Sequence, residues 1–369
     1  MYQATTGLPH LLRPTDYCDP SAFRLEFKRI LRPAWHLVGT KSQLSSSGQF
    51  ITCQLLGKEI YVRNFDGNLR VFANVCAHRH CMIQSVPEGK SETMQCQYHG
   101  WEYGEDGATR KIPCAKDFAP LDRSQLRLPS YRVDSCGELV FVSLVHEGVS
   151  LQDFLGEAYE VMSERFSSDM KQNYRKSFEY DANWKVAIEN SLEAYHVESV
   201  HPETFRSGPG EERTEHHLGS QYTSFTTDMP FAASNRTDLA YQKAEGWFVK
   251  KLGREPKRRY SQHHVFPNLL FSCTDAISLV HSVRPISVNR SESICIQFGL
   301  SPKSSKFAQK KLAGLLGKAE AMIINRILKE DVAMYPVIQR GLEVSSHQGM
   351  LARSEERIHA FQQYLRKFQ

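Results

Sequence analysis

Hydrophobic and polar positions change rhythm several times along the chain. Phe23, Phe27, Ile30 and Leu31 recur at helical spacing ahead of Pro33, so residues 20–45 read as an amphipathic helix leading into a first strand. From Phe50 to Val145 the rhythm shortens to β-prone runs such as Glu59-Ile60-Tyr61-Val62-Arg63 and Glu138-Leu139-Val140-Phe141-Val142. The turn pairs Asp66-Gly67 and Asp106-Gly107 separate such runs, which predicts a small antiparallel β domain. Residues 151–170 return to a helical pattern, Lys176–Tyr180 to a strand and Trp184–Val200 to a helix. Strand patterns follow over 219–300, among them Asn268–Ser272 and Ile294–Phe298, and a long helical pattern covers 306–342. The fold class predicted is α+β. An N-terminal helical segment, 1–45, packs on a domain spanning 151–369, in which helices flank an antiparallel sheet, and the all-β domain at 46–150 lies between them in sequence.

Composition narrows the class. A chain of 369 residues suits two domains, and 41% apolar with 24% charged residues is ordinary for a globular protein. Mean hydropathy is −0.45, and no apolar run approaches the roughly 18 residues a membrane span needs, so no membrane association is expected. Met1–Pro14 lacks a basic stretch leading into a long apolar segment, so it does not read as a secretory signal. Nine cysteines are an odd number spread over a long chain, which argues for a reducing, cytoplasmic location with some thiolates used as ligands. The net charge of +5 arises from 46 basic and 41 acidic residues, a mixed surface that does not call for nucleic acid. The densest basic stretch, Lys250-Lys251 with Arg254, Lys257, Arg258 and Arg259, contains Gly and Pro and reads as a solvated loop, with a docking patch for an acidic electron donor as the lesser reading.

Two constellations carry chemistry. Cys76-Ala77-His78 and Cys96-Gln97-Tyr98-His99 each offer one thiolate and one imidazole. A zinc site more often pairs Cys with Cys and His with His. Mixed pairing suits a binuclear cluster in which Cys76 and Cys96 hold one iron and His78 and His99 the other. Neutral imidazoles in place of thiolates raise the reduction potential of such a cluster. A zinc module in an interaction protein and a plain electron carrier stay open at this point.

The second constellation begins with Glu189, Glu193 and His196, which an uninterrupted helix would place on one stripe. His201 lies five residues beyond His196, about 140° away on an ideal helix. Pro202 disfavours helix at His201, so that side chain can turn back. Two imidazoles and one carboxylate on one face suit a ferrous iron that activates oxygen. Glu330-Asp331, heading into Val332, Ala333 and Met334, supplies the candidate carboxylate, Asp331, although spacing alone also fits ordinary helix-surface acids.

Cys76-Ala77-His78-Arg79 and Cys96-Gln97-Tyr98-His99-Gly100-Trp101 closely resemble the Rieske domain of ring-hydroxylating and related oxygenases. Asn190, Glu193, Tyr195, His196 and His201 are similar to the same family's pattern of Asn, then carboxylate-x-x-His-x(4)-His, and the likeness extends from about 30 to 345. The resemblance implies a Rieske [2Fe-2S] cluster on Cys76, His78, Cys96 and His99, and a mononuclear Fe(II) on His196, His201 and Asp331. It also implies a helix-grip, START-like catalytic domain, a homotrimer, O2 as a reactant, and electrons from a separate NAD(P)H-dependent flavin/iron-sulfur reductase. That partner agrees with the lack of G-x-G-x-x-G or G-x(4)-G-K-[ST] here. By the same resemblance Glu193 bridges His196 to His99 of an adjacent subunit, with Asn190 and Tyr195 as supporting groups. Glu at the bridge resembles members acting on carnitine, choline or betaines, whereas aromatic-ring dioxygenases often have Asp. Ala194 and Val197 stand where those members usually have Cys. The chain departs again at His80 and Cys81, where the family usually has Gly after Arg; both read as packing beside the cluster loop. His216-His217 and His263-His264 would diverge on strands and are weak metal candidates. Trp247, Phe248 and Tyr222 are candidates for an aromatic cage, or for ordinary core.

Overall fold

A computed structural model describes residues 2–204, 209–229, 236–302 and 304–368. The chain divides into two compact units, one formed by Arg32–Phe154 and the other by Met1–Leu31 with Leu155–Gln369.

The Arg32–Phe154 unit is built on a seven-stranded antiparallel sheet. Its strands are β1 (Trp35–Thr40), β2 (Gln49–Leu55), β3 (Lys58–Phe65), β4 (Asn68–Ala73), β5 (Glu88–Lys90), β9 (Ser130–Cys136) and β10 (Leu139–Ser143), in the order β1-β10-β9-β4-β3-β2-β5. A second, three-stranded sheet comprises β6 (Met94–Gln95), β7 (Glu102–Tyr103) and β8 (Thr109–Lys111). Every residue of β1 and β10 is buried, as expected of interior runs without a polar alternation. The Asp66-Gly67 turn joins β3 to β4 with positive φ at both residues, +50° and +96°, the twist that tight hairpins require. Phe50, Tyr61 and Phe72 share one core cluster with Cys76, Cys96, Trp101 and Tyr103.

Residues 20–45 do not form one helix. Helices α1 (Pro14–Cys18) and α2 (Pro20–Glu26) run into a π-turn over Phe27–Leu31, and Trp35–Thr40 is already strand β1 of the β unit. The expected 1–45 segment is thus split at about Arg32 between the two units.

The other unit wraps a seven-stranded antiparallel sheet against a long helix. The strands are β11 (Met170–Tyr180), β12 (Thr214–Leu218), β13 (Tyr222–Asp228), β14 (Arg259–Val265), β15 (Leu269–Cys273), β16 (Ile277–Ser287) and β17 (Arg290–Leu300), in the order β11-β17-β16-β15-β14-β13-β12. The helices are α3 (Ala158–Arg165), α4 (Trp184–Ser191), α5 (Val197–Val200), α6 (Arg236–Lys251), α7 (Phe307–Val344) and α8 (Glu356–Arg366). Helix α7 packs on β11 and β17, and α4 packs on α7.

The strand pattern expected over 219–300 is interrupted by α6. Its inward face carries Glu245 beside Phe248 and Val249, so the apolar stripe is too sparse to announce a helix. The same reason hides α8, whose buried positions include Arg357 and Gln362. The Lys250 cluster lies at and beyond the end of α6, where Arg254 pairs with Asp169 and the Lys257 and Arg258 backbones donate to Asp275.

Lys185, on α4, is completely buried against Glu26 of α2, with Nζ at 2.8 and 2.9 Å from the two carboxylate oxygens. Trp184 Nε1 donates to the same carboxylate at 3.1 Å. Asn183 caps α4 through Lys185 N–H, and its own amide donates to the Tyr17 and Val288 carbonyls. The helix that leads into the second constellation is thereby anchored to the N-terminal segment.

Candidate metal centres and the adjoining cavity

In the β unit, the loops beginning at Cys76 and Cys96 fold alike. Cys76 N–H donates to Cys81 O and His80 N–H to Cys76 O, while Cys96 N–H donates to Trp101 O and Gly100 N–H to Cys96 O. The fifth residue of each loop is left-handed, with φ of +60° at His80 and +71° at Gly100. Glycine takes that conformation freely; His80 takes it at a cost.

Both cysteine side chains are buried, and the His78 and His99 rings meet edge-to-face with centroids 4.7 Å apart. Trp101 stacks on His78 at 4.8 Å with an interplanar angle of 2°, which fixes that imidazole. His78 Nδ1 is buried with no hydrogen-bond partner among the described residues. A buried, unpartnered ring nitrogen beside two buried thiols is the donor set a Rieske cluster needs. Cys81 stands close to Cys96, and burial, followed by the Cys96 thiol, raises the Cys81 thiol above its ordinary pKa; no disulfide is formed.

Sequence reasoning missed Tyr103. Its hydroxyl accepts the Ala77 N–H at 3.0 Å and lies 3.0 Å from Cys76 Sγ, so its proton is directed at that sulfur. Burial, followed by the bond to Cys76, raises the Tyr103 pKa, so it remains a donor at any physiological pH. A tyrosine four residues past His99 carries no local signal; only the β6–β7–β8 sheet brings it under the Cys76 loop.

In the other unit, the helix predicted through Trp184–Val200 breaks after Ser191. The Glu193 carboxylate accepts the backbone N–H groups of Tyr195 and His196, which holds the turn between α4 and α5. Glu189, Glu193 and His196 therefore do not share a stripe. Glu189 turns away and accepts hydrogen bonds from Tyr17 Oη at 2.6 Å and Gln362 Nε2 at 2.8 Å.

The break brings His196 and His201 to Asp331 of α7. The three offer one ligand atom each within 4.8 Å of one another. His201 Nε2 is 3.0 Å and His196 Nε2 3.5 Å from Asp331 Oδ1. Each imidazole is held from behind by a glutamate: His196 Nδ1 meets Glu193, and His201 Nδ1–H donates to Glu330 at 2.8 Å. A carboxylate on Nδ1 sets the tautomer that leaves Nε2 as the ligand atom and raises its basicity. Glu330 is further fixed by Thr204 Oγ1 and Arg326. Its part in orienting His201 was not legible from sequence, although the Glu330-Asp331 pair was.

Asn190 Nδ2 donates to Asp331 Oδ1 at 3.1 Å. Burial works against charge at all three residues, but the hydrogen bonds prevail. Asp331 is lowered to about 2 and His196 raised to about 9. Three carboxylates around two imidazoles leave an excess of negative charge, which a divalent cation would neutralise. Tyr195 takes part through its backbone, while its ring is 75% exposed.

A cavity of about 170 Å3 opens beside the three residues, walled by Phe225, Tyr260, Leu270, Phe271, Leu279 and Ile327, with His281 and Gln262 as polar members. His281 Nε2 bonds Ser293 Oγ at 2.9 Å, and burial lowers its pKa to about 4, so it presents a neutral imidazole. A second cavity of about 190 Å3 shares Tyr260, Ser272, Leu279, Ile327 and Leu328 with the first, and Glu320 is the charged residue in its wall.

Residues 167–368 match the family described as the ring hydroxylating alpha subunit (catalytic domain), and residues 34–132 match the Rieske [2Fe-2S] domain. The chain belongs to the ring-hydroxylating alpha subunit family. Its two domains are those of a Rieske cluster and a mononuclear iron. It is 29% identical over 194 residues to the glycine betaine monooxygenase oxygenase subunit of Pseudomonas aeruginosa, an alignment covering 52% of this chain and 44% of that protein. It is 32% identical over 195 residues to the toluate 1,2-dioxygenase subunit alpha of Pseudomonas putida, covering 50% and 43%. The chain thus matches less than half the length of these curated relatives. Its fold resembles that of the quaternary ammonium Rieske monooxygenase CntA with a TM-score of 0.78 at 21% identity, covering 98% of this chain and 95% of that one.

The remaining candidates fall outside the two centres. His216 contacts Glu356 and His217 contacts Glu157, while His263 bonds Tyr222 and His264 bonds the Pro267 carbonyl. Trp247 is 53% exposed under Lys251, Phe248 is core, and neither they nor Tyr222 wall the first cavity, so the candidate cage is not formed and the core reading holds for Phe248. No helix among the described residues is long and apolar enough to cross a membrane.

Proposed function

We propose that this chain is the terminal component of a Rieske-type oxygenase, hydroxylating or N-dealkylating a small organic substrate with O2 and electrons from a separate NAD(P)H-dependent reductase. The observation that carries the reading is the grouping of His196, His201 and Asp331 in the wall of a largely apolar cavity. Cys76, Cys96, His78 and His99 hold the cluster; His196, His201 and Asp331 hold the iron. The iron supplies oxygen activation, and the cluster supplies electrons singly.

The protein's own groups do the positioning. Glu193 and Glu330 keep both Nε2 lone pairs aimed at one point, and Asn190 donates to the same Asp331 Oδ1 that faces them. Phe225, Tyr260, Leu270 and Leu279 exclude water and seat the substrate's apolar part. In a cytoplasmic homotrimer, Glu193 would bridge His196 to the neighbour's cluster ligand His99. The substrate favoured is a small quaternary ammonium compound, in keeping with Glu193 and with the glycine betaine monooxygenase subunit similar to this chain. Oxidation of an aromatic ring is the second reading, favoured by the aromatic wall and the toluate enzyme.

Metal analysis tests the core of the reading. The oxygenase requires about three irons per chain, whereas a bare electron carrier requires about two. Reductase-coupled turnover of trimethylammonium compounds and arenes, with product analysis, decides the substrate; oxidation of arenes alone would overturn the first reading.

A further inference from the structure

The cavity's strand wall is a pair of rows set by the register. Phe225, Gln262, Ser272 and Leu279 face one another across β13, β14, β15 and β16, and Thr223, His264, Leu270 and His281 form the row two residues away. Since side chains alternate across a sheet, both rows share one face.

Arg357 of α8 reaches into this face. Its side chain is fully buried, with Nη1 donating to Gln262 Oε1 at 2.7 Å, Nε to Thr223 Oγ1 at 3.3 Å, and the guanidinium 5.3 Å from the Phe225 ring centroid. Nη2 is buried and has no acceptor among the described residues. No carboxylate among them pairs with this guanidinium; the adjacent Glu356 is engaged by the Gln3 and Ala4 backbones and by His216. A buried guanidinium without a carboxylate is costly and leaves a positive potential uncompensated.

Guanidinium has donors and no acceptor, so Gln262 must turn its oxygen toward Arg357. Its NH2 is then not engaged by Arg357, and Gln262 is part of the cavity wall. We infer that this cavity recognises a carboxylate on the substrate, bound by the Gln262 amide NH2 in the field of Arg357. The inference rests on the cavity being the substrate site, not on the substrate being a cation: a betaine and an aromatic acid both carry the required group.

The test uses the full-length, metal-loaded protein under anaerobic conditions and calorimetric titration with two matched pairs: glycine betaine with its methyl ester, and benzoate with methyl benzoate. In the wild type, the acid of at least one pair binds about tenfold or more tighter than its ester, the worth of one charge-assisted hydrogen bond. Gln262→Met removes the donors and brings acid and ester within about twofold. Gln262→Glu keeps an acceptor for Arg357, which guards against misfolding, and makes the ester the tighter ligand. Equal affinity for acid and ester in both pairs, or an acid preference surviving in both variants, overturns the inference. An acid preference confined to the benzoate pair upholds it while removing the quaternary ammonium reading.

Discussion

Replacing Glu26 by Gln probes the anchor beneath the iron site. The substitution preserves shape and a hydrogen-bond acceptor but removes the negative charge facing Lys185, an ammonium that is 0% exposed. At the observed 2.8 Å, the Coulomb attraction is about 6 kcal/mol with an effective dielectric of about 20. Breaking a buried pair from one side typically costs about 3–5 kcal/mol, because the remaining charge cannot reach water. For a domain of roughly 150–250 residues, about 2–4 °C of Tm goes with each kcal/mol, so a fall of roughly 6–20 °C is expected. Scanning calorimetry of Glu26→Gln and of the double variant Glu26→Met with Lys185→Met separates charge from shape. The double variant should regain at least half of the loss, since neither charge is left buried. A single-variant fall below about 2 °C, or a double variant no more stable than the single, would refute the reasoning. The effect bears on function because α4 carries Asn190 to Asp331. Iron should dissociate faster from Glu26→Gln than from the wild type, as followed by chelator competition.

His196→Ala and Asp331→Asn should each remove about one iron per chain and all turnover, while the visible spectrum of the cluster persists; full turnover in either would sink the assignment. Tyr103→Phe deletes a hydrogen bond to the Cys76 sulfur and should lower the cluster's potential by tens of millivolts, roughly the 59 mV that corresponds to 1.4 kcal/mol for one electron. Redox titration by circular dichroism reads this, and an unchanged or raised potential counts against the proton's assigned direction. His80→Gly relieves a left-handed residue in the cluster loop and should stabilise the β unit by about 1 kcal/mol, measured by denaturant midpoint. A loss of stability would show that the His80 side chain contributes more than its backbone costs.

The candidate cluster loops stood out in the chain because the proposed ligands are local: Cys76 with His78, and Cys96 with His99, each lie within one turn. His196 and His201 were readable for the same reason, once Pro202 allowed the second to turn back. Asp331 needed more, since 130 residues separate it from His201. Its pairing is made by α7 packing against α4, a tertiary event. The stripe expected through Glu189, Glu193 and His196 failed because Glu193 holds the turn between α4 and α5 instead of continuing the helix, a choice that periodicity does not register. Helices α6 and α8 were hidden because each buries polar side chains, and burial of Glu245, Arg357 or Gln362 is settled by partners far away in sequence.

The sequence by itself determined which chemistry the chain can hold: two thiolates and two imidazoles at short spacing for a cluster, and two imidazoles near a proline for an iron. Local spacing suffices there because a ligand loop is only a few residues long. The tertiary structure alone decided how those groups are tuned and what they face. Tyr103 under Cys76, Glu330 behind His201, and Arg357 against Gln262 all join residues distant along the chain. Their directions are set by sheet register and helix packing, which no single segment of sequence contains.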